Sequence, residues 1–218
     1  FDITVAPVVD LWHFTDGSAE LPEKEDVSAA LEKVDYRAIH LDGNTVTLPS
    51  GWAIDLGGIA KGYIADQIAL FCKEVGVEAG ILNFGGNVVT VGQKPGGGLW
   101  VVGIQDPRET TGHYSLAVQV PEASVVTSGI YERGFELDGV RYHHILEPST
   151  GWPVQNELAS VTILSESSML GDALSTACLL SGYDAARILL EEFPGAEAIF
   201  ITRDGETLCT PGAEDTLI

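Results

Sequence analysis

The chain has 218 residues, 45% of them hydrophobic, and carries 32 acidic against 11 basic side chains, for a formal charge of −21. That length suits one large domain or two small ones with a core that needs no staples, and the charge excludes nucleic acid, and disfavours an anionic membrane, as the main partner. An anionic ligand must therefore be met locally, by backbone N–H groups, a metal ion or a few placed cations.

Read in chain order, residues 28–34 set Ala29, Ala30, Leu31 and Val34 at helical spacing. Residues 44–48 alternate as a strand behind the turn Asp42-Gly43. The spacing predicts a helix over 58–75, with Ile59, Tyr63, Ala65, Ile68, Ala69 and Cys72 on a broad apolar face and Gly76 as its stop. Residues 80–91 read as one strand bent at Phe84-Gly85-Gly86, and Gly96 to Gly98 as a hairpin turn. Strands follow over 100–104 and 114–120, and 123–127 runs into a turn at Ser128-Gly129. Residues 131–137 and 140–146 form a hairpin around Asp138-Gly139. A strand over 158–164, helices over 169–180 and 183–193, and a last hairpin over 196–202 and 206–210 complete the chain. Hairpins beside helices argue for an α+β fold with a mixed, largely antiparallel sheet and flanking helices. No apolar run nears the ~18 residues of a membrane span. The three cysteines, Cys72, Cys178 and Cys209, are too widely spaced for a disulfide framework or a zinc site. Cys72 and Cys178 read as small core residues.

Five segments break apolar elements with glycine and polar residues. In Asp55-Leu56-Gly57-Gly58-Ile59-Ala60-Lys61-Gly62, a carboxylate, two glycines and a lysine meet at a helix start, where free N–H groups suit an anion; a plain capping turn explains the pattern equally well. In Asn83-Phe84-Gly85-Gly86-Asn87, paired glycines mark either a sheet bend or a close ligand. In Thr127-Ser128-Gly129, hydroxyls and N–H groups can face a phosphate, or simply form a turn. His143 and His144, on a strand, point to opposite faces, one inward and one exposed. Asp172, Ser175 and Thr176 lie at i, i+3 and i+4 of a helix, a face of hard oxygens of the kind Mg²⁺ takes, or an ordinary first turn with hydroxyls bonded back to the backbone.

Together with the opening Phe1-Asp2-Ile3-Thr4-Val5, these segments, in this order, resemble the ApbE family of FAD:protein FMN transferases. The matching stretches are 1–5, 54–66, 83–87, 126–133, 144–153 and 172–177, so the resemblance spans nearly the whole chain. It implies an ApbE-like flavin transferase fold, a single domain over 1–218 without the N-terminal portion that precedes the opening motif in the family. It also implies Mg²⁺-dependent cleavage of FAD, with FMN joined through a phosphoester to a Thr or Ser hydroxyl of a target redox protein and AMP released. By motif position, Asp55 and Lys61 match nucleotide-contacting residues, joined by Thr4, Gly85, Gly86, Thr127, Ser128, Gly129 and Leu146. The Gly58 carbonyl, Asp172 and Thr176 match metal ligands, with Ser175 at an adjoining position that is often acidic in relatives. His144 matches the histidine of the family's H-I-x-x-P-x-T-G pattern and is the candidate for handling the acceptor's proton; Asp172 is the other candidate catalytic residue. The resemblance further implies an extracytoplasmic location, with at most a lipid anchor from a missing N-terminus, although no signal is visible in this chain. Two other readings use the same residues: a Mg²⁺-dependent FAD pyrophosphatase giving FMN and AMP, and a non-catalytic flavin-binding protein.

Overall fold

The computed structural model describes residues 1–15, 18–110 and 112–218. A turn of 3-10 helix, Ile3–Val5, leads into α1 (Ala6–Val9) and α2 (Lys24–Leu31), and a hairpin follows, β1 (His40–Asp42) with β2 (Thr45–Thr47). Then come α3 (Ala60–Glu74), β3 (Ala79–Asn83), β4 (Asn87–Gly92), β5 (Trp100–Gln105), β6 (Tyr114–Val120) and β7 (Ser124–Gly129). A second hairpin, β8 (Gly134–Leu137) with β9 (Val140–His143), precedes β10 (Leu158–Ser165), α4 (Ser168–Ser181), α5 (Tyr183–Glu191), β11 (Glu197–Thr202), β12 (Thr207–Cys209) and α6 (Pro211–Glu214). The α+β, largely antiparallel expectation holds. Contacts divide the chain into two compact units, Phe1–Leu56 with Ile130–Gln155, and Gly57–Gly129 with Asn156–Ile218.

The second unit is built on a six-stranded sheet in the order β12-β11-β10-β7-β4-β3, antiparallel at every pairing. Residues paired across two strands share a face, and the two faces receive different cover. One face takes the helices, with Ala65 and Ala69 of α3 lying on Val89 and Val91 of β4 and Tyr183 of α5 standing edge-on to Phe200 of β11. The other face takes the β5–β6 hairpin and α6, where Trp100, Val102, Ile104, Val118 and Val120 meet Val125, Leu164, Ile199 and Ile201. Every residue of β10 is buried as a result. A strand covered on both sides reads as a continuous apolar run and loses its alternation.

Several boundaries differ from the sequence reading, each for a local reason. Residues 80–91 are two strands, not one bent strand, because Gly85 (φ 67°) and Gly86 (φ 89°) take the left-handed backbone of a tight turn. Ser128 and Gly129 do not turn; they stay in β7, paired with Val161 and Ser160 of β10. The ladder of a central strand outweighs their turn preference. α2 starts at Lys24, four residues before the apolar spacing begins, with Glu25 and Asp26 in its first turn, where carboxylates suit the helix dipole. On α3 the packed positions are the small residues Gly62, Ala65 and Ala69, while Tyr63 faces outward. Cys178 is buried, its thiol pushed up to about 12 by burial, whereas Cys72 is only half-buried.

The first unit centres on Val8, Trp12, Ala30 and Leu146. Trp12 stacks on Phe14 at 5.1 Å between ring centroids and meets Trp152 edge-on at 5.1 Å, and Phe135 stacks on Tyr142 at 5.5 Å. Such aromatic pairs add stability beyond the area they bury. The Trp12 Nε1–H donates to the Gly151 carbonyl at 3.1 Å. Gly151 closes the turn that starts at Glu147, donating its N–H to the Glu147 carbonyl at 2.8 Å with φ 73°. A Cβ at Gly151 would lie 2.6 Å from Val27 Cγ1 and 3.1 Å from Val8 Cγ1. Gly151→Ala is therefore expected to cost about 1–3 kcal/mol, the usual scale of overpacking, read as a lower urea midpoint; an unchanged midpoint would show that Val27 and Val8 move aside freely.

Candidate active site

α3 begins without a cap of its own. Its N-cap residue, Ile59, offers no side-chain acceptor, so the N–H groups of the first turn need partners from elsewhere. One comes from α4: the Gly62 N–H donates to Asp172 Oδ2 at 2.8 Å, although the two residues are 110 positions apart. Asp172 is only 3% exposed. Burial pushes its carboxyl above the ordinary aspartate range, opposed by the Gly62 hydrogen bond and by the nearby Lys61 charge. Gly62 is required where it stands, because a Cβ there would collide with the Ser168 carbonyl at the start of α4.

The start of α4 is capped from α3 in return. Asp66 accepts from the Ser168 N–H at 2.7 Å through Oδ1, and from the Ser167 hydroxyl at 2.8 Å and the Met169 N–H at 3.0 Å through Oδ2. The Ser167 hydroxyl accepts from Leu170 N–H at 3.3 Å. Nothing in the local pattern assigned Asp66 a role, since its partners lie 101 to 103 residues away; the cap at Ser167 was missed as well, and a serine just ahead of the apolar run of α4 is the signal that could have found it.

Asp172, Ser175 and Thr176 do share one face of α4, and Ser128 of β7 joins them. Ser128 Oγ lies 2.8 Å from Ser175 Oγ and 3.1 Å from Thr176 Oγ1, and Ser175 Oγ donates to the Asp172 carbonyl at 3.0 Å. A hydroxyl has one proton. With that of Ser175 given to the Asp172 carbonyl, Ser128 donates to Ser175 and Thr176 donates to Ser128. The chain leaves the lone pairs of Thr176 open, and leaves Asp172 Oδ1 outside the Gly62 bond. These donors are all oxygen, as a hard cation requires, but Asp172 is the single carboxylate among them. No group of three or more His, Cys, Asp or Glu gathers to hold a metal among the described residues. Mg²⁺ commonly sits on one or two carboxylates, several waters and phosphate oxygens, so this donor set fits Mg²⁺ when the ligand itself supplies phosphates.

The other expected site residues divide between the two units. Gly58 lies in the turn leading into α3, and Lys61 in its first turn, at the end that Asp172 caps. Gly86 is tied to β7 by its carbonyl, which accepts from Thr127 N–H at 2.9 Å, and a Cβ at Gly85 would meet open space. The Thr127 side chain does not join Ser128. It bonds Thr162 Oγ1 at 2.8 Å, because neighbouring residues of a strand face opposite ways. Gly129 is buried in β7.

In the first unit, Thr4 is fully buried, and its hydroxyl donates to Asp2 Oδ1 at 2.6 Å and accepts from Asp35 N–H at 2.8 Å. Leu146 packs in the core cluster with Val8, Trp12 and Ala30. Asp55 donates its N–H to the Ile3 carbonyl at 2.7 Å. The histidines separate as expected: His143 is fully buried with Nε2 at 3.1 Å from the Val154 carbonyl, whereas His144 is half-exposed with Nδ1 at 3.3 Å from the Arg133 carbonyl.

Asp172, Thr176 and Ser128 thus gather oxygen donors near the start of α3, where Lys61 also lies. Residues 1–200 match the sequence model of the ApbE family, and the chain belongs to that family. It is 38% identical to an FAD:protein FMN transferase of Treponema pallidum, over 99% of this chain and 64% of that protein, and 35% identical to one of Klebsiella pneumoniae, over 95% and 65%. The chain thus spans just under two thirds of the length of these relatives. Among solved structures it is similar to the ApbE protein of Thermotoga maritima (TM-score 0.89, 35% identity, 99% of this chain and 71% of that one). It is also similar to the apo form of the Pseudomonas stutzeri flavinyl transferase ApbE (TM-score 0.82, 31% identity, 99% and 68%).

Asp172 therefore has two separable duties, an acceptor for Gly62 and a negative charge. Asp172→Asn keeps the acceptor and is expected to hold wild-type stability, whereas Asp172→Ala uncaps α3 and loses about 0.5–2 kcal/mol. Urea unfolding of the two variants reads the difference, and equal midpoints would remove Asp172 from the cap.

Proposed function

We propose that this chain carries out transfer of FMN from FAD to a Thr or Ser hydroxyl of a target redox protein, with Mg²⁺ and with release of AMP. The observation that carries the reading is the oxygen cluster of Asp172, Thr176 and Ser128 at the start of α3 that Asp172 caps, with the Lys61 charge nearby. Four relatives or structural neighbours compared above are named for this reaction or family, and the notion that this chain shares it is drawn from that likeness.

Asp172, Thr176 and the Gly58 carbonyl would hold Mg²⁺, with Ser175 kept to the hydroxyl chain. When bound, the ion neutralises charge on the pyrophosphate as it is split. Lys61 and the N–H groups of the α3 start bind phosphate oxygens, which is how a chain of charge −21 accepts an anionic nucleotide without a basic surface. Asp172 orients that helix start through its bond to Gly62. His144 takes the proton of the acceptor hydroxyl, a task for which an imidazole is suited near neutral pH. An extracytoplasmic location goes with this reading and rests on the family likeness alone.

The test is incubation with FAD, Mg²⁺ and an acceptor peptide bearing a central threonine. A peptide heavier by one FMN phosphoryl unit supports transfer, free FMN with an unmodified peptide supports pyrophosphatase action, and unchanged FAD overturns both. The histidines then separate by readout. His144→Ala is expected to slow transfer by roughly 10²–10⁴-fold with little change in melting temperature. His143→Ala is expected to lower the melting temperature instead, because it empties a fully buried position. A swap of the two effects would overturn the assignment of His144.

A further inference from the structure

We infer that Asp66 is a positioning residue for the metal-handling face of α4, an inference that rests on the reading of Asp172 as a metal ligand. The two helix starts are clasped reciprocally. A carboxylate of α4 caps α3, Asp172 on Gly62, and a carboxylate of α3 caps α4, Asp66 on Ser167, Ser168 and Met169. Gly62 and Asp66 are four residues apart on α3, and Ser168 and Asp172 are four apart on α4. The two contacts are thus separated by about one turn of each helix, roughly 6 Å along the axis.

Two contacts one turn apart fix both the slide and the roll of one helix on another; a single contact fixes neither. Close approach is permitted by Gly62, where a Cβ would collide with the Ser168 carbonyl. Of the two carboxylates, Asp66 is fully engaged, with both oxygens accepting and three donors shared between them. Asp172 uses one oxygen on Gly62. Without Asp66, the hydrogen bond remaining between the two helix starts among the described residues is the Gly62 bond of Asp172, so the proposed ligand would carry that tie as well as the ion. Asp66 relieves it of the first task. Ser168 extends the same clasp to the sheet, its hydroxyl donating to Asn87 Oδ1 at 2.5 Å.

The experiment titrates the protein with Mn²⁺, a paramagnetic stand-in for Mg²⁺, in the presence of FAD, reading free Mn²⁺ by electron paramagnetic resonance at a temperature where circular dichroism shows every variant folded. Asp66→Ala is expected to raise the Mn²⁺ half-saturation about 10–100-fold, the scale typical of residues that orient metal ligands. Asp66→Asn is expected to give a smaller rise, because its one remaining acceptor oxygen can still take the Ser168 N–H. A folded Asp66→Ala with wild-type half-saturation and only a lower melting temperature would overturn the inference and leave Asp66 a plain helix cap. If Asp66→Ala does not fold, Asp66→Asn makes the same comparison, and wild-type Mn²⁺ binding in that variant overturns the inference. Asp172→Asn separates the two readings. Loss of Mn²⁺ binding in Asp172→Asn, with none in the Asp66 variants, sinks the role of Asp66 alone, whereas Mn²⁺ binding unaffected by Asp172→Asn sinks the metal assignment and this inference with it.

Discussion

Two carboxylates are exchanged between two helix starts, and the geometry of the second unit's site depends on that exchange. A helix start exposes N–H groups and partial positive charge, and each must be met by an acceptor. α3 has no capping side chain of its own, and it is completed by Asp172, which α4 supplies. α4 has a weak local cap in Ser167, at 3.3 Å from the Leu170 nitrogen, and is completed by Asp66 from α3. Neither helix start is satisfied alone. The glycine between them, Gly62, has no side chain so that the two backbones can come close enough for both bonds to form.

The exchange also explains how so acidic a chain can hold carboxylates in its interior. Most of its 32 acidic side chains face water. Asp172 does not, and burial raises its carboxyl above the ordinary range. Its charged form is favoured by two neighbours, the Gly62 N–H and Lys61. An added cation would favour it further, and a buried carboxylate with one unshared oxygen is a natural partner for one. The hydroxyl chain from Thr176 through Ser128 and Ser175 to the Asp172 carbonyl holds the rest of that face in place, with every proton assigned.

The first unit shows the opposite relation between motif and role. Several of its distinctive residues build the unit itself. Asp2 and Thr4 form a clasp that takes the Asp35 and Tyr36 N–H groups. Gly151 lets the turn after Glu147 sit on Val8 and Val27 and receives the Trp12 indole N–H. Leu146 fills the core beside Trp12. Of the paired histidines, the buried one is bonded to the Val154 carbonyl, and the half-exposed one lies against the Arg133 carbonyl.

What the sequence determined by itself was local: the α+β class, the long helix ended by Gly76, the hairpin at Asp138-Gly139, the shared face of Asp172, Ser175 and Thr176, and the opposed faces of His143 and His144. Each follows from a period of 3.6 or 2.0 residues, or from a turn residue with one favoured backbone, all of which operate within a few neighbours. The tertiary structure decided what depends on partners far along the chain. It kept Ser128 and Gly129 in a strand, because β10 pairs with them. It turned Thr127 away from Ser128 and toward Thr162. It buried Thr4 against Asp2 and Asp35 and Leu146 beside Trp12, and it gave Asp66 a duty at α4. No local rule reaches these outcomes, because hydrogen-bond satisfaction is a condition on the whole molecule: a helix start that lacks an acceptor nearby is completed by whichever carboxylate the fold brings to it.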